Sequence, residues 1–107
     1  MNPTEQIKEL LATYEKHGWR LRRVLLRSDT QAQISDESWA GDATIEAAEF
    51  DGLWFSRRSQ GEREAWELRL ISPTQYALFE TFEADEPEAA REEVRKEMEA
   101  MMKERAK

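Results

Sequence analysis

The residues with the clearest chemical potential in this sequence are four closely spaced arginines. Arg20, Arg22, Arg23 and Arg27 lie in a stretch that contains no acidic residue. A guanidinium group presents several N–H donors in one plane, which suits the oxygens of a carboxylate or a phosphate. We therefore take Arg22 and Arg23 as candidate anion-binding residues, and Arg69 as a further arginine able to hold such a group.

The segment after these arginines has the opposite charge. Residues 28–51 contain seven acidic residues and no Lys or Arg. The simplest interpretation is that this acidic segment lies over or beside the basic strand and neutralises it, and a basic ligand-binding surface is the alternative. We predict mostly irregular structure here, with a short strand or a helical turn within residues 43–50. A long irregular segment in a small domain is also a candidate lid.

Other reactive groups give no recognisable motif. The single histidine, His17, sits at the end of a predicted helix and is expected to have a capping role. The chain has no cysteine, and its four glycines are isolated, so neither a thiolate site nor a Gly-rich phosphate loop is predicted. The acids in residues 29–42 do not have the spacing of a calcium loop. We therefore predict no catalytic residue, no cofactor and no metal ligand.

One acidic residue differs from the rest because it lies within a predicted strand. Glu67 is expected beside Trp54 and Arg69 on a covered sheet face. An ion pair with an arginine is the favoured interpretation, and a catalytic carboxylate is the alternative.

Helix and strand signals indicate how these side chains are positioned. Residues 2–5 have the form of a helix start, with Asn at the N-cap and Pro at the first helical position, and this helix is expected to end at Gly18. Residues 19–27 are predicted to form a strand whose two halves are out of phase, which indicates a bulge near Arg22 and Arg23. A last helix is expected from residues 85–88 to about Arg105.

Between these elements, residues 53–82 read as a hairpin and a further strand with apolar residues on both faces. If Gln60 and Gly61 form a two-residue loop, one face carries Leu53, Phe55, Trp66, Leu68 and Leu70. The other face then carries Trp54, Ser56, Glu67, Arg69 and Ile71. A sheet of this kind needs a cover on each side.

Together these signals predict an α+β fold in a single domain over residues 1–107. The expected architecture is an antiparallel sheet of four to five strands with an N-terminal helix and a long C-terminal helix, in the order α-β-β-β-β-α. Apolar area on the second sheet face predicts a shield from a helix or another subunit. The candidate interface residues are Trp54, Arg69, Ile71, Tyr76 and Leu78.

Composition narrows the function classes. The net charge of −7 opposes nonspecific attraction to nucleic acid and to anionic lipid, although arginines interleaved with aromatic residues are also found in single-strand binders. No apolar segment approaches the ~20 residues of a membrane span, and the N-terminus does not resemble a secretory signal, so a cytoplasmic protein is expected.

Two functional hypotheses follow. The first is a non-enzymatic module that binds itself, as a homodimer, or another protein. The second is a pocket for a small anionic molecule, in a binding protein or an enzyme, between the sheet and the acidic segment.

Overall fold

A five-stranded sheet with one helix on each face makes up the computed structural model, which describes residues 2–107. In chain order the elements are α1 (Pro3–Lys16), β1 (Arg20–Leu26), the one-turn helix α2 (Ser28–Gln31), β2 (Thr44–Ala47), β3 (Gly52–Arg58), β4 (Glu64–Leu70), β5 (Ala77–Phe82) and α3 (Glu88–Arg105). The predicted α+β fold is confirmed, with its N-terminal helix, its sheet and its long C-terminal helix. Among these residues, no helix combines the length and the apolar character needed to cross a bilayer.

The sheet is mixed, with the strand order β2-β1-β3-β4-β5. Three of its pairs are antiparallel, as predicted, but β2 runs parallel to β1. The prediction of a wholly antiparallel sheet is therefore wrong at this edge. Because β2 belongs to the acidic segment, its pairing with β1 places acidic side chains beside the basic strand, as the charge pattern indicated.

The ends of α1 follow from its sequence. Asn2 caps the helix by accepting a hydrogen bond from the backbone N–H of Glu5 at 2.9 Å, and Pro3 occupies the first helical position. His17 forms the C-cap, and Gly18 follows in a left-handed conformation with a φ of 85°. A ring nitrogen of His17 lies 2.8 Å from the carbonyl oxygen of Thr13, in keeping with its predicted capping role.

The hairpin between β3 and β4 differs from its predicted register by one residue. Trp54 pairs with Leu68 and Phe55 pairs with Glu67. The connection is longer than two residues, since the backbone N–H of Ser59 still bonds to the carbonyl of Arg63 at 2.8 Å. A one-residue shift moves every side chain of a strand to the other face. The predicted distribution of the β4 side chains between the two faces is therefore wrong.

Each face of the sheet carries its own core. On the α1 face the buried residues are Ile7, Leu11, Val24, Leu26, Ile34, Ala40, Leu53 and Phe55. On the α3 face they are Leu25, Phe50, Trp54, Trp66, Leu68, Phe82, Met98 and Met102. The sheet is apolar on both faces, as expected, and a helix of the same chain covers each of them.

A bulge in β1 brings arginine side chains to one face. Leu21 pairs with Phe55 and Arg23 pairs with Trp54, so Arg22 is an extra residue between them. The bulge lies where the change in the alternation of apolar residues along residues 19–27 predicted it. Because of the bulge, the consecutive residues Arg22 and Arg23 both reach the α3 face.

Candidate functional site

A cavity of about 410 Å³ opens on the α3 face beside the β1 bulge. Four arginines line it, three from β1 and one from α3: Arg20, Arg22, Arg23 and Arg95. The rest of its lining is formed by Asp42, Thr44, Glu64, Trp66 and Glu88. We call this cavity the arginine cleft. Both candidate anion-binding residues, Arg22 and Arg23, belong to it.

Arg22 is the half-buried cation of the cleft that lacks an acidic partner. Its Nη1 donates a hydrogen bond to the hydroxyl of Ser56 at 3.0 Å, and its guanidinium carbon lies 4.9 Å from the centroid of the Trp66 ring. Within the described part of the chain, no carboxylate oxygen lies within 4.0 Å of it. Most of its N–H donors are therefore free to meet a ligand.

Arg95 is almost completely buried, with only 1% of its surface exposed. Its Nε donates to Glu92 at 2.9 Å, and its Nη2 donates to Glu88. Its Nη1 forms no hydrogen bond with any of residues 2–107. A buried donor without an acceptor costs roughly 1 to 3 kcal/mol. The fold thus retains an arginine with one unused donor at the wall of the cleft.

Arg23 differs from Arg22 because carboxylates already hold it. Glu92 accepts hydrogen bonds from both Nη atoms of Arg23, at 3.2 and 2.8 Å, and Glu46 of β2 lies 4.0 Å from its Nε. These Arg23 hydrogen bonds, helped by Arg95 and opposed by burial, lower the pKa of Glu92 from its ordinary value of 4.5 to about 2. Arg23 therefore ties β1 to α3, which leaves Arg22 as the more available cation.

Glu64 lines the cleft but has other partners. Its carboxylate accepts hydrogen bonds from the indole N–H of Trp66 at 2.6 Å and from Nη1 of Arg91 at 3.2 Å. The remaining acidic residues of the cleft, Asp42 and Glu88, are exposed to solvent. The cleft thus combines free guanidinium donors with carboxylate acceptors at its rim.

Sequence reasoning did not find Arg95. A sequence signal was present, because Arg95 shares the spacing of one helix face with Arg91, Met98 and Met102. In the structure both methionines are buried. An arginine on the apolar stripe of a helix indicates either an ion pair or a ligand contact.

The third candidate anion-binding residue, Arg69, lies on the opposite face of the sheet. It lines an open groove of about 560 Å³ beneath α1, together with Glu9 and Thr13. Among the described residues of that lining, Arg69 is the only cation. The groove is therefore a weaker candidate for an anion than the arginine cleft.

The structure divides the five candidate interface residues between the two faces. Trp54, Tyr76 and Leu78 belong to the α3 face, whereas Arg69 and Ile71 belong to the α1 face. Trp54 is fully buried beneath α3, where its indole N–H donates to Glu99 at 2.8 Å. The five residues do not form one accessible surface of the single chain.

Glu67 has a tyrosine partner where an arginine was expected. The hydroxyl of Tyr14 donates a hydrogen bond to its carboxylate. No salt bridge to Glu67 is found among residues 2–107. Burial and this contact raise the pKa of the Tyr14 hydroxyl above its ordinary value, with Arg69 acting in the opposite direction. The predicted ion pair of Glu67 is thus replaced by a tyrosine hydrogen bond that joins α1 to β4.

Within residues 2–107, no group of three His, Cys, Asp or Glu side chains has the arrangement of a metal site. Comparisons with protein-family models, curated protein sequences and solved structures gave no match. Any statement about function therefore rests on the geometry of this chain.

Proposed function

We propose that the protein binds a small polar anion in the arginine cleft. One observation carries the proposal: Arg22 and Arg95 lie against the same indole ring, and both have N–H donors without an acceptor in the described chain. An anion bound in the cleft would accept hydrogen bonds from Arg22 and would compensate its positive charge, whereas Arg95 already pairs with Glu88 and Glu92.

The lining of the cleft favours a particular class of ligand. Guanidinium groups bind phosphate and carboxylate in similar planar geometry, so the anionic group belongs to one of these two types. The exposed carboxylates of Asp42 and Glu88 would accept hydrogen bonds from hydroxyl or amino groups on the same molecule. A volume of about 410 Å³ is in the usual size range of small-molecule sites. The expected ligand is therefore a phosphorylated or carboxylated metabolite with further polar groups.

We propose binding without a chemical step. A general acid or base works best when its pKa lies near the operating pH. Next to the cleft, the Arg23 contact lowers the pKa of Glu92 to about 2, and Glu92 in turn raises the pKa of Arg23. Both groups are held in their charged forms and are suited to positioning.

Thermal unfolding in the presence of oxyanions tests this function. A ligand that binds only the folded state at 100 times its Kd stabilises that state by about 2.7 kcal/mol. For a domain of this size the unfolding temperature should then rise by roughly 10 °C. We expect such a rise with inorganic phosphate or pyrophosphate, compared with chloride at the same ionic strength.

Two variants make the test specific. Arg22→Gln should lose the stabilisation by the oxyanions. Arg27→Gln removes the same charge beyond the other end of β1, where Arg27 pairs with the exposed Asp29 at 3.3 Å. This variant should keep the stabilisation by the oxyanions. Equal responses of the two variants, or no response of the wild type, would refute the proposal.

A second candidate function is association with another copy or another protein through the outer edge of β5. The specific observation in its favour is the exposure of Phe79 on this strand, which leaves 58% of its surface open to solvent. This candidate replaces the Trp54 surface as the proposed location of contact, because α3 already covers Trp54. Light scattering over a range of protein concentrations tests it.

A further inference from the structure

The outer edge of β5 has backbone groups that no described strand pairs with. Within the β4–β5 ladder, the backbone N–H of Leu70 bonds to the carbonyl of Tyr76 at 3.0 Å. Hydrogen-bonded and non-hydrogen-bonded pairs alternate along an antiparallel ladder. The backbone groups of Ala77, Phe79 and Thr81 therefore point outward. In agreement, the N–H of Thr81 is bonded only to the side chain of Glu80, at 2.9 Å.

Two large apolar side chains, the most exposed in the described chain, flank this edge. Phe79 is 58% exposed and lies on the α1 face, since it pairs with Glu67. Met101 is 55% exposed and belongs to α3. Arg91 of α3 contacts Phe82 of β5, and Arg105 contacts Tyr76, which directly precedes β5, so the helix turn with Met101 runs along the same edge.

We propose that β5 pairs with β5 of a second copy of this chain, antiparallel and around a twofold axis at Phe79. This inference rests on the second candidate function and is independent of the arginine cleft. Phe79 faces Phe79 of the second copy, and Ala77 faces Thr81, so all outward groups of these residues form hydrogen bonds. The two sheets then join into one of ten strands.

Neighbouring registers are less favourable. Two shifted registers keep the hydrogen-bonding parity. One places Glu80 opposite Glu80 of the second copy, and like charges directly opposite each other are destabilising. The other places Leu78 opposite Leu78 and Thr81 opposite Gln75, which lies outside β5, so fewer outward groups of the strand are paired. With Phe79 at the axis, Glu80 lies opposite Leu78 instead. It then comes within side-chain reach of Arg105 of the second copy, which stacks on Tyr76 with its guanidinium carbon 4.7 Å from the ring centroid. This twofold register is complementary in charge as well as in hydrogen bonding.

The helices leave room for this pairing. In the joined sheet the two β4 strands are three strand spacings apart, about 14 Å. Because each α3 contacts both β4 and β5, the two helices would lie two to three strand spacings apart, roughly 10 to 14 Å, which is at or beyond the 8 to 10 Å of packed helices. Side chains such as Met101 would fill the space between them.

The opposite edge of the sheet is a poorer candidate. β2 has four residues, Thr44–Ala47, and it carries Glu46 with Asp42 and Glu49 close by in sequence. Short and charged edge strands discourage pairing between sheets. The chain thus offers one edge suited to a second copy.

Light scattering coupled to size-exclusion chromatography tests the association. The wild type should give about 25 kDa, twice the chain mass of 12.6 kDa. Phe79→Glu places two like charges at the axis and should give a monomer. Ala47→Glu, the matched change on the exposed β2 edge, should remain a dimer. A monomeric wild type up to millimolar concentration, or a dimeric Phe79→Glu variant that retains its circular dichroism spectrum, would overturn the inference.

Disulfide trapping tests the register itself, because the chain has no cysteine of its own. Residues in a hydrogen-bonded antiparallel pair have Cα atoms about 5.5 Å apart, which a disulfide can span. Phe79→Cys should therefore form covalent dimers on mild oxidation. Thr81→Cys should not, since its two copies would be about 13 Å apart along the strands.

The outcomes separate the two levels of the proposal. Rapid cross-linking of Phe79→Cys alone supports the twofold axis at Phe79. A dimeric wild type whose Phe79→Cys variant fails to cross-link, or whose Thr81→Cys variant cross-links faster, would overturn this register and leave the second candidate function standing. A monomeric wild type would overturn both. Neither result bears on anion binding.

Discussion

Arg22 in β1 and Arg95 in α3 lie against the same indole ring, with their guanidinium carbons 4.9 and 4.3 Å from the centroid of Trp66. The aromatic ring stabilises each cation by about 0.5 to 2 kcal/mol. The ring does not neutralise them: Arg95 pairs with Glu88 and Glu92, whereas Arg22 has no carboxylate partner in the described chain. An anion beside Arg22 would supply this missing counter-charge, which is the physical basis of the proposed function.

Replacement of Arg95 by methionine should separate stability from binding. Arg95→Met removes a buried charge with an unused donor, and Glu92 keeps its contacts with Arg23. Removal of one partner of a buried ion pair costs about 3 to 5 kcal/mol when it leaves the other charge buried and unpaired. Here Glu92 keeps Arg23 and Glu88 is exposed, so this cost is not expected. We expect the free energy of urea unfolding to stay within about 1 kcal/mol of the wild type or to rise, while the thermal response to pyrophosphate is lost.

Lys96→Met is the matched control for this experiment. Lys96 is exposed on α3 next to Arg95 and does not line the arginine cleft. This variant should keep the pyrophosphate response. Undiminished binding by Arg95→Met would show that the cleft is not the site.

Protonation of Glu92 should weaken the fold in acid. The contact with Arg23 lowers the pKa of Glu92 to about 2 in the folded state, against an ordinary value of 4.5. The folded state thus binds fewer protons than the unfolded state between these values. The stability from Glu92 is fully present above about pH 4.5 and is lost as the pH falls towards 2.

Urea unfolding at pH 6 and at pH 3 checks this linkage. The drop in midpoint between the two pH values should be smaller for Glu92→Gln than for the wild type. Glu93→Gln, a change at the exposed neighbouring residue, should show the same drop as the wild type. A drop of equal size in all three proteins would contradict the assigned role of Glu92.

Trp54 should behave as a core residue of the single chain. Its side chain is fully buried and bonded to Glu99, so Trp54→Ala should lower the free energy of unfolding by about 3 to 5 kcal/mol. Trp54→Phe should cost less and should leave the molecular mass from light scattering unchanged. If Trp54→Phe dissociated a folded dimer, Trp54 would instead belong to the interface between the two copies.

Much of the fold could be predicted from local signals. The N-cap at Asn2, the glycine after α1 and the two-sided apolar strands each have a direct physical meaning. The phase break in β1 also predicted the bulge that brings Arg22 and Arg23 to one face.

The hairpin register could not be derived in the same way. Its connection contains two consecutive residues with positive φ, Gly61 at 66° and Glu62 at 63°. In a sequence, a glycine indicates that a positive φ is possible, but a glutamate does not. The extra left-handed residue changes the register, and with it the face on which Glu67 and Trp66 lie.

Only part of the candidate site could be predicted from the sequence. The basic run identified Arg22 and Arg23, but Arg95 is separated from them by some seventy residues and reaches the cleft only because α3 packs across the sheet. Pairing of Arg23 with Glu92 is also a tertiary contact. Which arginines are free and which are neutralised is therefore decided by the fold.

The indole N–H signals of the four tryptophans offer the most direct test of anion binding. In a two-dimensional proton–nitrogen NMR spectrum these signals are resolved from the backbone, and a Trp66→Phe variant assigns the signal next to Arg22 and Arg95. Titration with pyrophosphate at constant ionic strength should shift the Trp66 signal in a saturable manner. Trp19 and Trp39 pack on the other face and should remain unchanged. No shift of the Trp66 signal, or equal shifts of all four, would contradict the account.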